Sequence, residues 1–174
     1  MAKFVTETVN LDELMEKVGG HLARLLGAES ALVTCGAAAA LCHATSAAIA
    51  GSDPEKMLQL PDLTGLKSEV IIPRQSRNAY DHAFRMSGAK MVEIETPDQI
   101  EMAISPRTAL IAMLGTGEAH GPIKLEHLAA AGRKHGIPIV VDAAAELPRN
   151  PNPYLSRGAD LVAVFVLFLV RQLR

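Results

Sequence analysis

A chain of 174 residues, 49% of them apolar, is long enough for one sizeable core and too short for two typical domains joined by a linker. Its 17 basic and 19 acidic residues leave a net charge of -2, so composition offers no basic stripe for nucleic acid and no support for a tRNA partner.

In chain order, residues 1–7 lack a basic stretch followed by an apolar core. No secretory signal is expected, and a cytoplasmic setting is the default. Leu11, Leu14, Met15, Val18, Leu22, Leu25 and Leu26 recur at helical spacing, with Asn10 or Asp12 able to cap the start and Gly27 ending the helix. A short strand is expected at 31–34, an Ala-rich helix at 36–50, and a Gly-Ser-Asp-Pro loop from Gly51. Cys35 and Cys42 stand seven apart, on one helix face and not in a metal or redox spacing, so they read as buried reduced thiols. Strands follow at 69–72, 90–94, 108–114, 137–141 and 160–165, with helical stretches at 78–87, 98–104 and 124–135. The apolar run 161–170 has ten residues, about half of what a membrane-spanning helix needs, and reads as a buried strand. Alternating helices and β-branched runs imply an α/β fold, three-layered, with a mostly parallel sheet covered by helices on both faces.

Ligands in such sheets sit beyond the carboxyl ends of the strands. Four strand-end segments carry chemistry. Thr34-Cys35-Gly36-Ala37-Ala38-Ala39-Ala40 opens a helix with almost no side chains, which leaves backbone N–H groups free to hold a phosphate. The alternative is that the alanines only allow close helix packing. The segment 73–82 offers Tyr80 and His82 to cover a ring, and Arg74 or Arg77 to meet a carboxylate or phosphate. A solvated loop is the plain alternative there. Gly115-Thr116-Gly117-Glu118-Ala119-His120-Gly121-Pro122 brings Glu118 and His120, two titratable groups able to reach a substrate. Asp142 closes the apolar strand 137–141 ahead of Ala143-Ala144-Ala145-Glu146. It either caps the following turn or faces a basic ring nitrogen.

Several blocks in register resemble the fold-type-I pyridoxal-phosphate enzymes, within them the group of selenocysteine synthase (seryl-tRNA selenium transferase) and glucosaminate-phosphate ammonia-lyase. They are Leu11-Asp12-Glu13-Leu14, the run from Gly27 to Ala40, Leu60-Pro61-Asp62-Leu63-Thr64-Gly65-Leu66-Lys67, Arg77-Asn78-Ala79-Tyr80-Asp81-His82-Ala83 and Val140-Val141-Asp142-Ala143-Ala144-Ala145-Glu146-Leu147-Pro148. The resemblance implies pyridoxal 5'-phosphate as cofactor, with Cys35, Gly36 and Ala37 at its phosphate and Asp142 on its pyridinium nitrogen, keeping the ring an electron sink. It places the ring-stacking residue within 75–82, with Ser76 where the family has His. Tyr80 and His82 are the cofactor candidates from that segment, and Arg77, Glu118 and His120 the substrate candidates.

The resemblance also implies a Ser-Gly-Gly-Lys turn after residues 158–163, whose lysine forms the Schiff base, and then a smaller domain. Here residues 164–174 are an apolar run ending in Arg-Gln-Leu-Arg, and no lysine follows Lys134. The expectation is an N-terminal helical segment at 1–27, a partial cofactor-binding large domain at 28–174 and no small domain, as in a truncated or frame-shifted copy without its Schiff-base lysine. The implied activity is a lyase or transferase acting on a small amino substrate, phosphorylated or not, in a homo-oligomer when full length. A non-catalytic module that binds phosphate compounds or pairs with another subunit is the alternative. An unrelated nucleotide binder is disfavoured by the absence of G-x-G-x-x-G.

Overall fold

The computed structural model describes residues 8–165. Five strands, β1 (Glu69–Pro73), β2 (Lys90–Ile94), β3 (Thr108–Leu114), β4 (Ile139–Asp142) and β5 (Leu161–Ala163), form one sheet in the order β2-β1-β3-β4-β5. All neighbours are parallel. Successive strand residues point to opposite faces, and both faces are apolar, so the sheet has two cores. Ile71, Ile111, Met113, Ile139 and Val141 meet Ile100 of α5 (Gln99–Ala103) and Leu125 and Leu128 of α6 (Leu125–His135). Val70, Ile72, Leu110, Ala112 and Val140 meet Leu41 and Ile49 of α2 (Ala37–Ala50) and Phe84 of α4 (His82–Arg85). The expected parallel α/β layering is the observed one.

Helix α1 (Leu11–Leu26) begins where Asn10 accepts the Glu13 amide and ends at Gly27, whose φ of 65° is the left-handed turn that glycine tolerates best. Asn150 completes that end by donating to the carbonyls of Arg24 and Leu25. The helix docks through Gly19 and Ala23, its buried residues, and Gly19 lies so close to the Ala31 carbonyl that a methyl group would not fit. Leu11, Leu14, Val18 and Leu25 stay exposed.

The expected strand at 31–34 does not form. Leu32 and Val33 are exposed, and the segment turns instead, with the Gly36 amide donating to the Thr34 carbonyl and the Thr34 hydroxyl to the Gly36 carbonyl. A four-residue apolar run carries no period of its own, and without a neighbouring strand to pair with it stays irregular. Helix 78–87 shrinks to α4, preceded by turns. Two short helices stand outside the expected elements: α3 (Pro54–Gln59), capped by Asp53, and α7 (Pro153–Ser156), capped by Asn152. Both carry an Asx-Pro pair, the N-cap followed by proline at the first helical position, which is the signal that marks them. No helix among the described residues is long and apolar enough to cross a membrane. The apolar run 161–170 is β5 at its start, while residues 166–174, and with them the expected frame-shifted tail, lie outside the described residues. So does Lys3.

Candidate functional site at the carboxyl rim of the sheet

The chain leaves β1, β3 and β4 on one rim. A single-turn 3-10 helix at Arg74–Ser76 follows β1, a longer one at Gly115–His120 follows β3, and Asp142 is the last residue of β4, in register beside Leu114. Gln75 ties two of these ends together. Its amide nitrogen donates to the carbonyls of Gly117 (3.2 Å) and Ile123 (2.8 Å), and its oxygen accepts the Ile123 amide (3.3 Å). Ser76 is wholly buried next to it, and its hydroxyl has no hydrogen-bond partner among the described residues. Sequence reasoning passed over Gln75, because a carboxamide that bonds backbone across 48 residues leaves no local pattern.

Asp142 is only 8% exposed. Its Oδ1 accepts the Ala144 amide at 3.1 Å, so the turn-capping reading holds as geometry. Capping does not compensate the charge: burial pushes the carboxyl above the usual range, the Ala144 amide opposes this, and the Glu146 carboxylate adds to it. A buried acid with one amide partner and no paired cation among the described residues is chemically suited to a protonated ring nitrogen. Ala143 and Ala144 keep the side-chain volume beside it small.

At the start of α2, Gly36 takes φ 94°, caps the helix without any side-chain hydrogen bond, and has open space where a Cβ would stand. The first amides of a 14-residue helix therefore lack intrahelical acceptors. Ala37 is half-buried there, while Cys35 is exposed and Cys42 only partly covered, so the expected burial of the two thiols does not hold: Cys35 lies in the turn ahead of the helix. The donor set suits a phosphate. Tyr80 is 71% exposed, and the exposed His82 ring bonds the Ala79 carbonyl at 3.0 Å. Arg77 pairs with the buried Asp81 and with Glu93.

Glu118 is drawn into the framework. It accepts the Leu125 amide at 2.9 Å and holds Arg157, which also bonds Glu126. Arg157 pulls Glu118 below the ordinary carboxylate range and Glu126 down to about 2. His120 is exposed at the end of its turn. Beside this network lies a cavity of about 470 Å³, walled by Gly115, Lys124, Glu146, Tyr154 and the Glu118–Arg157 pair. The Tyr154 hydroxyl donates to Glu146 at 2.6 Å, and burial first, then this bond, pushes the phenol well above its usual value. Gly115 leaves room for that bond, since a Cβ there would displace Glu146 Oε1 and the Tyr154 hydroxyl.

No family model matches the sequence. The chain is 30% identical to D-glucosaminate-6-phosphate ammonia lyase of Salmonella typhimurium across 92% of its own length and 46% of that protein's. A solved structure of D-glucosaminate-6-phosphate ammonia-lyase superposes on 94% of the chain with a TM-score of 0.86 and 29% identity, covering 47% of that structure's chain. In fold and in sequence the chain matches the fold-type-I pyridoxal-phosphate enzymes. A second relative, the 5'-C-glycyluridine monooxygenase-decarboxylase of a Streptomyces species, is 32% identical across 88% of this chain and 41% of its own. The chain thus spans about half the length of the curated relatives it matches.

Proposed function

We propose that these residues form the cofactor-binding part of a pyridoxal-phosphate-dependent lyase or transferase of the selenocysteine synthase and glucosaminate-phosphate ammonia-lyase group, acting on a substrate that bears an amino group. The observation that carries this reading is Asp142, a buried strand-end carboxylate with no cation partner among the described residues, in a fold whose α2 opens on uncapped amides. Bound pyridoxal phosphate supplies an electron sink for a carbanion next to an amine. In this reading Asp142 holds the proton on the ring nitrogen, and Cys35, Gly36 and Ala37 hold the phosphate through backbone N–H groups. Tyr80 and His82 cover the ring, and Arg77 and His120 meet the substrate. Glu118, proposed with them from the sequence, acts through its hold on Arg157.

The lysines bear on anchoring. Lys17 pairs with Glu13, Lys56 with Asp53 and Lys134 with Glu101, while Lys67 and Lys90 are exposed. Lys124 donates to the Glu118 carbonyl at 2.6 Å. None follows β4 or β5, so the proposal includes non-covalent binding of the cofactor by this chain. Pyridoxal phosphate titrated into the purified protein is expected to bind saturably, to be displaced by inorganic phosphate, and to leave no adduct on any one lysine after borohydride. Asp142→Asn is expected to weaken binding by about tenfold or more, the scale of one charge-assisted hydrogen bond. Absence of saturable binding would overturn the cofactor reading, and a pyridoxyl group on one specific lysine would overturn the non-covalent one.

A further inference from the structure

The turns after β1 and β3 are joined through one side chain. Gln75 is half-buried and spends its whole carboxamide on the second turn: its nitrogen donates to the Gly117 and Ile123 carbonyls, and its oxygen accepts the Ile123 amide. The backbone is shaped to that contact. A Cβ on Gly121 would overlap Gln75 Oε1, and one on Gly117 would stand 2.8 Å from the Gln75 carbonyl and 3.2 Å from Ser76 Cα. Neither glycine takes a positive φ, so what each supplies here is room for Gln75 and Ser76 rather than an unusual backbone conformation. Strand pairing does not do the same work. The ladder between β1 and β3 ends at Ile71 and Ile111, before either turn begins, and Gln75 carries the connection past that point.

We propose that Gln75 is a positioning residue, holding the segment 74–82, with Tyr80 and His82, and the turn 115–120 as one unit across the carboxyl rim. The turn it grips begins one residue past Leu114, the register neighbour of Asp142, so the tie reaches from the end of β1 to the strand beside the buried acid. Short 3-10 turns have poor internal hydrogen bonds and do not fix their own spacing. A carboxamide suits the role because its partners are two acceptors and one donor, a set that neither a carboxylate nor an apolar side chain can satisfy. The inference deepens the proposed function and rests on that reading for what the unit holds, but not for the tie itself.

The test uses the full chain and pyridoxal phosphate, with Gln75→Ala, Gln75→Glu and, as a control, Gln59→Ala, which also removes two carboxamide bonds to carbonyls, those of Asp62 and Thr64. Affinities are read without denaturant on protein whose circular dichroism shows it folded. Gln75→Ala is expected to bind the cofactor about tenfold more weakly, and Gln59→Ala as tightly as the unaltered chain. Gln75→Glu keeps the shape and carries the test if Gln75→Ala does not fold. Its carboxylate would face two carbonyl oxygens and is accommodated only when protonated, so its deficit relative to the unaltered chain should shrink as pH falls from about 8 to about 5. In the cofactor-free protein, hydrogen exchange at the Ile123 amide should quicken about tenfold or more in Gln75→Ala. A deficit that ignores pH, Gln75→Ala binding like the unaltered chain even with a lowered urea midpoint, or unchanged exchange at Ile123 would each overturn the inference. If the unaltered chain does not bind the cofactor, the proposed function falls, and the exchange measurement decides the tie on its own.

Discussion

The two sides of the carboxyl rim treat charge in opposite ways. Around Arg157, two carboxylates and a guanidinium satisfy one another, and Glu118 and Glu126 titrate low because their ionised forms are paired. Around Asp142, a less exposed carboxylate has one amide partner, and burial drives its proton affinity up. Paired charges tie the turn after β3 to the start of α6 and the end of α7. An unpaired buried charge costs stability, and its retention points to a partner from outside the chain.

The largest test of this contrast is Arg157→Ala, which leaves two carboxylates facing each other with Glu118 half-buried. Because the guanidinium is itself partly exposed, the expected loss is about 2 kcal/mol, below that for a fully buried pair, and urea denaturation at neutral pH measures it. An unchanged midpoint would mean that the network does not support the fold.

Acid titration should separate the two sides by sign. Glu118 has a folded pKa below its ordinary 4.5, so its contribution is present above pH 4.5 and is lost as pH falls through the folded value. Arg157→Ala should flatten that acid limb. Asp142 has a folded pKa above its ordinary 3.8, so its neutral form is the favoured one: the stabilisation is complete below pH 3.8 and disappears as pH rises through the folded value.

Asp142→Asn keeps an oxygen for the Ala144 amide and removes the desolvated charge. In the cofactor-free protein it should therefore raise the neutral-pH melting temperature by roughly 2–4 °C, what about 1 kcal/mol produces in a domain of this size, with no gain below pH 3.8. A lower melting temperature in scanning calorimetry would show that the charge is compensated after all. The smallest effect expected is that of Tyr154→Phe, about 0.5–1 kcal/mol for one hydrogen bond, with Glu146 released in the cavity. Its readout is the same denaturation series.

The sheet was legible because its strands are unbroken apolar runs. β2 and β3 fall on the expected residues, as does α1, whose caps Asn10 and Gly27 are sequence signals. The strand expected at 31–34 failed because Leu32 and Val33 find no neighbour to pair with. At the rim, Asp142 stood out as an acid closing a β-branched run. Glu118 looked equally free in sequence, and only Arg157, 39 residues away, shows that it is engaged. Gln75, Tyr154 and Lys124 gave no signal, since their partners lie across loops that only the fold brings together.

The sequence by itself determined the parallel α/β layering, the helix caps and the family resemblance, because hydrophobic period, turn chemistry and motif order are local properties of the chain. Tertiary structure decided which charges are spent. Pairing depends on distances between segments far apart in sequence, and so does the desolvation that separates Asp142 from Glu118.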